Sequence, residues 1–435
     1  IRNLLVPVVL EQILNSIMGT ADTMMVSNVG SAALSAVSLV DSINILLIQA
    51  FSALAAGGAI VCAQYIGQKN YEKANMSARQ VLFIITAISV AVSAACLIFQ
   101  KPLLRLIFGA VEADVMHASE TYFFYTALSF PFIASYDAAA SIFRAQENTK
   151  GPMIISMISN IMNIGGNAIL IWVFHLGVAG AAISTLVSRI FCAVVVLYQL
   201  RKDRQPIVVR EYLKIRPDWS MIGRILGLGI PSGIENSMFQ LGKLAIQSTV
   251  STLGTAAIAA QAMTNILENL NGIAAIGVGV GLMTIVGQCL GAGRKDEAVY
   301  YIKKLCVIAE IVITVSCLIV YTLARPVTIL GGMEKSSAAM CIHMITWITI
   351  VKPLVWTMAF VPGYGLRAAG DVKFSMITSC CTMWACRFCL CVFLIRVLGF
   401  GPMGVWIGMF ADWTVRGIIF TWRFHSRRWL EHKVI

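Results

Sequence analysis

The chain has 435 residues, of which 58% are hydrophobic and only 12% are charged, and its mean hydropathy is +0.80. This composition excludes a water-soluble globular domain, because a soluble fold of this length needs far more polar surface. The net charge of +12 does not indicate a nucleic-acid partner, because the basic residues are concentrated in one set of predicted loops.

Runs of about 20 apolar residues recur along the chain, and each is long enough to cross a bilayer as a helix. They predict about twelve spans, near residues 4–27, 36–64, 81–99, 120–143, 152–175, 178–200, 225–250, 256–288, 304–324, 340–365, 375–397 and 403–424. The sequence therefore predicts an all-α integral membrane protein.

The loops differ in charge. Of the 33 Lys and Arg residues, 23 fall at the N-terminus, in the loops that follow even-numbered spans, and in the C-terminal tail. The opposite loops contain only Lys101, Arg105, Arg325, Lys335 and Arg396. Because basic residues mark the cytoplasmic side, both termini are predicted to be cytoplasmic, as in a multi-pass protein of a bacterial inner membrane. Since the chain begins at Ile1, further N-terminal residues are expected to precede it.

Two stretches of the chain align without a gap at an offset of 224 residues. "VPVVLEQ" (6–12) lies over "IPSGIEN" (230–236), and "AQYIGQKNYEKA" (63–74) lies over "GQCLGAGRKDEA" (287–298). The pairs in register include Pro7 with Pro231, Glu11 with Glu235, Gly30 with Gly254, Gln64 with Gln288, and Gly67 with Gly291. Prolines, glycines and acids that match in order indicate an internal repeat.

Each repeat contains an even number of spans, so both halves enter the membrane in the same direction. The sequence therefore predicts two six-helix lobes related by a pseudo-twofold axis along the membrane normal. We assign residues 1–200 to the N-terminal lobe, 201–220 to a cytoplasmic linker and 221–435 to the C-terminal lobe. Such an architecture is typical of alternating-access transporters, with the substrate bound near the midplane.

Several motifs make the chain resemble the multidrug and toxic compound extrusion (MATE) family of efflux transporters. They are a first-span proline followed fifteen residues later by "DTMMVSNVG", the paired "Q-x-x-G…A" ends of spans two and eight, and "NIMNIGGNAILIWVFHLGVAGAAIST" across spans five and six. The resemblance implies antiport of mostly cationic, amphipathic organic compounds against Na⁺ or H⁺, as in multidrug or xenobiotic export. It also implies a cation site in the first lobe, formed by the acid of span one and polar residues of spans five and six.

The residues themselves predict the same cation site. Asp22, Asn167 and Thr185 lie at about the same predicted depth, and Asn163 shares a helix face with Asn167 one turn deeper. A carboxylate, two amide carbonyls and a hydroxyl are hard oxygen ligands that suit a small cation. The alternative is that the asparagines only join helices through hydrogen bonds.

The second lobe serves as an internal control for this prediction. At the repeat offsets the four positions carry Ile246, Cys386, Leu390 and Met409. A polar set present in only one lobe favours a dedicated ion site. Some family members carry an aspartate where this chain has Asn167, so coupling through a pair of carboxylates is in doubt and the choice between Na⁺ and H⁺ stays open.

A belt of polar residues on spans two, seven and eight is predicted to line the substrate cavity. It comprises Asp41, Asn44, Lys243, Gln261, Asn265 and Glu268, and Asn271 continues the stripe on span eight. Lys243 is expected to pair with an acid, either Glu268 or Asp41. A structural role for these residues is the alternative.

The two repeated prolines, Pro7 and Pro231, are predicted to bend their helices. Glu11 and Glu235 each follow a proline by four residues, and we interpret them as structural or gating groups. The expected partners are small organic cations and membrane lipids, with no nucleic acid, no cofactor and no metal other than Na⁺ as a coupling ion. We expect a monomer.

Two alternatives differ in function. A lipid-linked oligosaccharide flippase of the same superfamily would need a more basic cavity to hold a pyrophosphate. A membrane-embedded enzyme would need a catalytic motif, and the spans show no HExxH and no Ser/His pair. The sequence also lacks GxxxxGK[ST], so transport energy is expected from an ion gradient.

Overall fold

The computed structural model describes residues 1–109, 111–202 and 205–435, and the chain is helical over most of this length. In chain order the helices are α1 (Arg2–Ser27), α2 (Ser31–Gly67), α3 (Tyr71–Ile98), α4 (Gln100–Phe108), α5 (Ala113–Leu128), α6 (Phe130–Ala145), α7 (Lys150–Asn167), α8 (Val178–Leu200), α9 (Trp219–Val250), α10 (Thr255–Gly291), α11 (Lys295–Leu330), α12 (Lys335–Ala368), α13 (Val372–Thr382), α14 (Leu390–Arg396) and α15 (Met403–Ser426). Two π-helical segments, Ala168–Val173 and Met383–Cys389, follow α7 and α13.

Within the described ranges, nine helical stretches are long and apolar enough to cross a membrane by length and composition. They correspond to nine of the predicted spans. The other three predicted spans correspond to α5 with α6, to α9 and to α15. The last two helices contain polar and charged residues that lower their hydropathy.

The fourth predicted span, 120–143, differs from the prediction. It is divided between α5 and α6, which are separated by Ser129. Pro131 lies at the start of α6 and has no N–H to continue the hydrogen bonds of α5. The Ser129 hydroxyl donates to the carbonyl of Thr126 at 2.5 Å and so satisfies a group at the end of α5.

The described chain forms two compact units, residues 1–233 together with Ile435, and residues 234–434. In the first unit α2 contacts α3, α5 and α6, while α7 lies between α1 and α8. In the second unit α10 contacts α11 and α12, and α15 contacts α12 and the π-helical segment Met383–Cys389. The predicted division into lobes 1–200 and 221–435 stays a prediction. The predicted linker 201–220 includes Asp203 and Arg204, which lie outside the described residues.

One pair of glycines shows the repeat in the backbone. Gly30 directly precedes α2 with a φ of 143°, and Gly254 directly precedes α10 with a φ of 100°. Positive φ is easily reached only by glycine. The sequence repeat pairs these two positions, so in both halves a glycine adopts the positive φ that directly precedes the helix.

Candidate functional site

The candidate cation site lies where α1 contacts the end of α7. The Asn167 side-chain amide donates a hydrogen bond to the Asp22 carboxylate. Asn167 is fully buried, and its own amide oxygen has no hydrogen-bond partner among the described residues. Asp22 is half-buried. The structure therefore brings together the two predicted ligands that lie 145 positions apart in the chain.

The other two predicted ligands make contacts of their own. The Ser184 hydroxyl donates to the carbonyl of Asn163 at 2.8 Å and to its side-chain oxygen at 3.1 Å. The Thr185 hydroxyl donates to the carbonyl of Ala181 at 3.1 Å. No hydrogen bond joins either residue to Asp22 within the described parts of the chain. Ser184, which the sequence analysis did not single out, joins α8 to α7.

The backbone around this site has two unusual features. The regular part of α7 ends at Asn167, and the π-helical segment follows immediately. Such segments are frequent at functional sites. A Cβ at Gly166 would collide with the Ser184 hydroxyl, so glycine at this position permits the close approach of α8.

A half-buried arginine that the sequence analysis did not consider interacts with the acids of this region. The Arg189 guanidinium on α8 donates to the Ser129 hydroxyl at 2.6 Å. It also interacts electrostatically with Asp22, Asp41 and Asp137. Asp137 also interacts with Arg144, so two cations, Arg144 and Arg189, neighbour the acids of this region.

Asp41 and Asn44, predicted to share a helix face, are neighbours on α2. The Tyr122 hydroxyl of α5 donates to Asp41 at 3.0 Å. Asn44 interacts with the Asp41 carboxylate through its side chain, while its own amide oxygen is buried and has no hydrogen-bond partner in the described chain. The pair therefore belongs to a small polar cluster inside the first unit.

The predicted polar stripe on α10 is joined to α12 and α15. Trp406 donates to the side-chain oxygen of Gln261 at 3.1 Å, and Gln261 donates to Asn265 at 3.4 Å. Further along α10, the buried Lys352 ammonium of α12 donates to Glu268 at 2.8 Å and to Asn271 at 2.6 Å. The ion-pair partner of Glu268 is thus Lys352, so Glu268, one of the two acids that the sequence offers as a partner for Lys243, is paired elsewhere.

Lys243 lies instead over an aromatic ring. Its ammonium is 4.7 Å from the ring centre of Phe239, one turn earlier on α9. Glu268 is its electrostatic neighbour but forms its ion pair with Lys352, whose buried ammonium lies 2.8 Å from the carboxylate and also over the Trp356 and Trp413 rings. The expected direct pairing of Lys243 with an acid does not occur within the second unit.

Glu11 and Glu235 form ion pairs at matching positions of the two repeats. Arg144 lies 3.1 Å from both carboxylate oxygens of Glu11. Arg367 lies 3.9 Å from Glu235, which also accepts hydrogen bonds from the Ser375 and Ser379 hydroxyls at 3.2 and 2.8 Å. Glu11 thus joins α1 to α6, and Glu235 joins α9 to α12, the corresponding helices of the second repeat.

Pro7 and Pro231 both lie inside continuous helices, α1 and α9. Proline at position 7 deprives the carbonyl of Asn3 of its usual helical donor. The Thr149 hydroxyl lies 3.4 Å from that carbonyl and 2.9 Å from the carbonyl of Leu4. The proline therefore creates an acceptor that a residue at the start of α7 satisfies.

Together, the repeated helices and the apolar spans with charged groups paired inside them define a multi-pass helical membrane protein. The sequence profile of the MatE family matches residues 7–169 and again residues 231–393. Both the starts and the ends of these matches lie 224 residues apart, which is the offset of the internal repeat. Because the matches cover most of the chain, the protein belongs to the MatE family of multidrug and toxic compound efflux transporters.

Curated relatives and solved structures agree with this family. The chain is 25% identical to the probable multidrug resistance protein YoeA of Bacillus subtilis, over 99% of this chain and 94% of YoeA. It is 24% identical to the probable multidrug resistance protein NorM of Thermotoga maritima, over 99% and 93%. A crystal structure of MATE in complex with MaL6 superposes with a TM-score of 0.92 at 18% identity, over 98% of this chain and 95% of that one. The predicted all-helical, two-lobe fold with about twelve spans is confirmed.

Proposed function

We propose that the protein is a secondary active exporter that couples outward movement of organic compounds to inward movement of Na⁺ or H⁺. The coupling ion would bind at Asp22 and Asn167. One observation carries this proposal: Asn167 is fully buried, it holds the Asp22 carboxylate, and its amide oxygen has no hydrogen-bond partner in the described chain.

The site carries two free-energy costs, one for the unpaired buried oxygen of Asn167 and one for the charge of Asp22 inside a span. A bound cation removes both. Leaving a buried acceptor unpaired costs about 1–3 kcal/mol. A charge inside a span costs at least ~2.5–3.5 kcal/mol on insertion scales. Na⁺ would take oxygens of both residues, and a proton on Asp22 would neutralise the carboxylate and could be donated to the amide oxygen. Either ion stabilises the site, so its occupancy would depend on the ion gradient.

The inward movement of the ion supplies the energy. One cation that crosses with a potential of 100 mV contributes ~2.3 kcal/mol, to which its concentration gradient is added. Four acids, Glu11, Asp22, Asp41 and Asp137, outnumber the two cations Arg144 and Arg189 in this part of the first unit, which supports an attraction for cationic groups. Two relatives carry the name of probable multidrug resistance proteins, which supports export of drug-like, mostly cationic compounds over the flippase alternative.

The remaining predictions belong to the same proposal. We propose that both termini are cytoplasmic and that the protein lies in a bacterial inner membrane, and the charge of the basic loops supports this orientation. We propose that it acts as a monomer, without a cofactor, and that Asp41, Asn44, Gln261 and Asn265 line the path of the substrate. Thr185 and Asn163 would contribute through small movements of α7 and α8.

The test is efflux of a fluorescent organic cation from liposomes that contain the purified protein, under an imposed gradient of Na⁺ or of H⁺. We expect one gradient to drive efflux, and Asn167→Ala to abolish that coupling. The matched control is Asn160→Ala on the same helix, since the Asn160 amide also donates to α1, at 2.7 Å to Asn15. If both asparagine variants reduce transport equally, Asn167 only joins helices and the ion site is refuted.

A further inference from the structure

We propose that the second unit contains a binding site for the anionic group of an amphipathic compound, formed by Lys243 and Arg387 around the ring of Phe239. The cation site of the first unit does not involve these residues. The binding of an anion at this site does not depend on the proposed export function. The identification of that anion as part of a transported compound does.

Arg387 has donors that nothing in its surroundings satisfies. Its side chain is 1% exposed, and one nitrogen lies 3.3 Å from the Asp412 carboxylate. Its Nε and Nη1 atoms are buried and have no hydrogen-bond partner among the described residues. Asp412 is shared with Arg416 at 3.2 Å, so its charge is already divided between two guanidinium groups. The free Nε and Nη1 donors of Arg387 lie on different sides of the guanidinium group, and each can donate a charge-assisted hydrogen bond to an anion.

The group around Arg387 carries a surplus of positive charge. Its members interact electrostatically with one another, and they are the cations Lys243, Lys352, Arg387 and Arg416 and the acids Glu268 and Asp412. Four cations thus face two acids inside the spans. Charges in spans are retained only where something pairs with them or uses them. A bound anion would reduce the surplus, whereas a bound cation would increase it.

Lys243 gives this site an accessible side. It is exposed, and it forms no ion pair within the described parts of the chain. The Phe239 ring lies 4.7 Å from the Lys243 ammonium and 5.1 Å from the Arg387 guanidinium, so both cations share one aromatic neighbour. An apolar body against the Phe239 ring and an acidic group against Lys243 and Arg387 describe an amphipathic organic anion.

Gly242 lies against the segment that contains Arg387. A Cβ at Gly242 would meet the end of the Met383 side chain, so α9 and the π-helical segment Met383–Cys389 are close neighbours at this point. Arg387 lies in that segment, and Lys243 directly follows Gly242. The site therefore depends on a local contact within the second unit and does not depend on the position of the first unit.

A carboxylate or phosphate could come from a transported compound or from a phospholipid headgroup. The experiment measures equilibrium binding of a xanthene dye with a free carboxylate and of its methyl ester, by fluorescence anisotropy, to the full-length protein in phosphatidylcholine nanodiscs. We expect the carboxylate form to bind about tenfold more tightly than the ester. Lys243→Gln and Arg387→Gln should each reduce that preference to near unity, and Lys243→Arg should retain it.

Lys304→Gln is the matched control, because Lys304 also lies over an aromatic ring one turn earlier, 5.9 Å from Tyr300. It should leave the preference unchanged. Loss of the preference in phosphatidylglycerol nanodiscs would support the anion site and assign it to the headgroup. Equal binding of acid and ester, or a preference that survives in Lys243→Gln, would overturn the proposal. This binding measurement applies no ion gradient. It therefore tests the anion site even if the proposed ion-coupled transport fails its own test.

Discussion

Glu11→Gln is expected to destabilise the protein strongly, because Glu11 is 3% exposed and is the only carboxylate within ion-pair distance of Arg144 among the described residues. Removing one partner of a buried ion pair costs ~3–5 kcal/mol. Arg144 keeps 21% exposure, and glutamine keeps an oxygen that can accept from Tyr136, now 3.3 Å from Glu11. We therefore expect a loss near the lower limit, about 3 kcal/mol.

The assay is unfolding in mixed micelles of dodecyl maltoside and sodium dodecyl sulfate, followed by tryptophan fluorescence. The control is Glu297→Gln, whose partner Arg294 lies at a similar distance, 3.3 Å, on an exposed surface. An exposed pair contributes at most about 1 kcal/mol. A second variant with Arg144→Gln added to Glu11→Gln should recover part of the loss, since no charge is then left unpaired.

The repeat offers a graded comparison. Glu235→Gln should cost less than Glu11→Gln, because Arg367 is 3.9 Å away and the two serine hydroxyls can still donate to glutamine. If Glu11→Gln is no more destabilising than Glu297→Gln, the interpretation of Glu11 as a buried structural group is incorrect.

Three further predictions use the same unfolding assay. Gly166→Ala should lower the free energy of unfolding by about 1–3 kcal/mol, because the added Cβ collides with the Ser184 hydroxyl. Adding Ser184→Ala should restore much of that stability. If it restores none, the two residues are not in contact. Thr149→Val should cost about 1 kcal/mol, but less in a Pro7→Ala background, where the restored N–H serves the same carbonyl; equal costs in both backgrounds would contradict this reading. Lys352→Met should cost ~3–5 kcal/mol because Glu268 is left unpaired, and a neutral result would mean that Glu268 is solvated.

Much of the fold could be predicted from the sequence, because the bilayer imposes a local pattern. An apolar run of about 20 residues indicates a span without knowledge of its neighbours. The repeat and the glycines before α2 and α10 also depend only on local backbone needs. The break at Ser129 was missed because a window of hydropathy does not register where a helix is interrupted, although Pro131 was a local signal for it.

The contacts of the charged residues could not be predicted in the same way. Glu11 and Arg144 are 133 positions apart, and Lys352 and Glu268 are 84 apart, so tertiary packing decides their pairing. Lys243 illustrates this point: an acid on a neighbouring span was a reasonable partner, but that acid pairs with a lysine on a third helix. Five basic residues inside the predicted spans were a signal for buried ion pairs: Arg189, Lys243, Lys352, Arg387 and Arg416. Of these, the sequence analysis considered only Lys243.

The central claim is that ion binding at Asp22 and Asn167 drives export. The most direct measurement is efflux of a fluorescent organic cation from liposomes under a Na⁺ gradient or a H⁺ gradient, with Asp22→Asn compared with the unmodified protein. We expect one gradient to drive efflux and Asp22→Asn to lose it. Efflux of equal rate in Asp22→Asn, or no efflux of the cation under either gradient with folded protein present, would contradict the account.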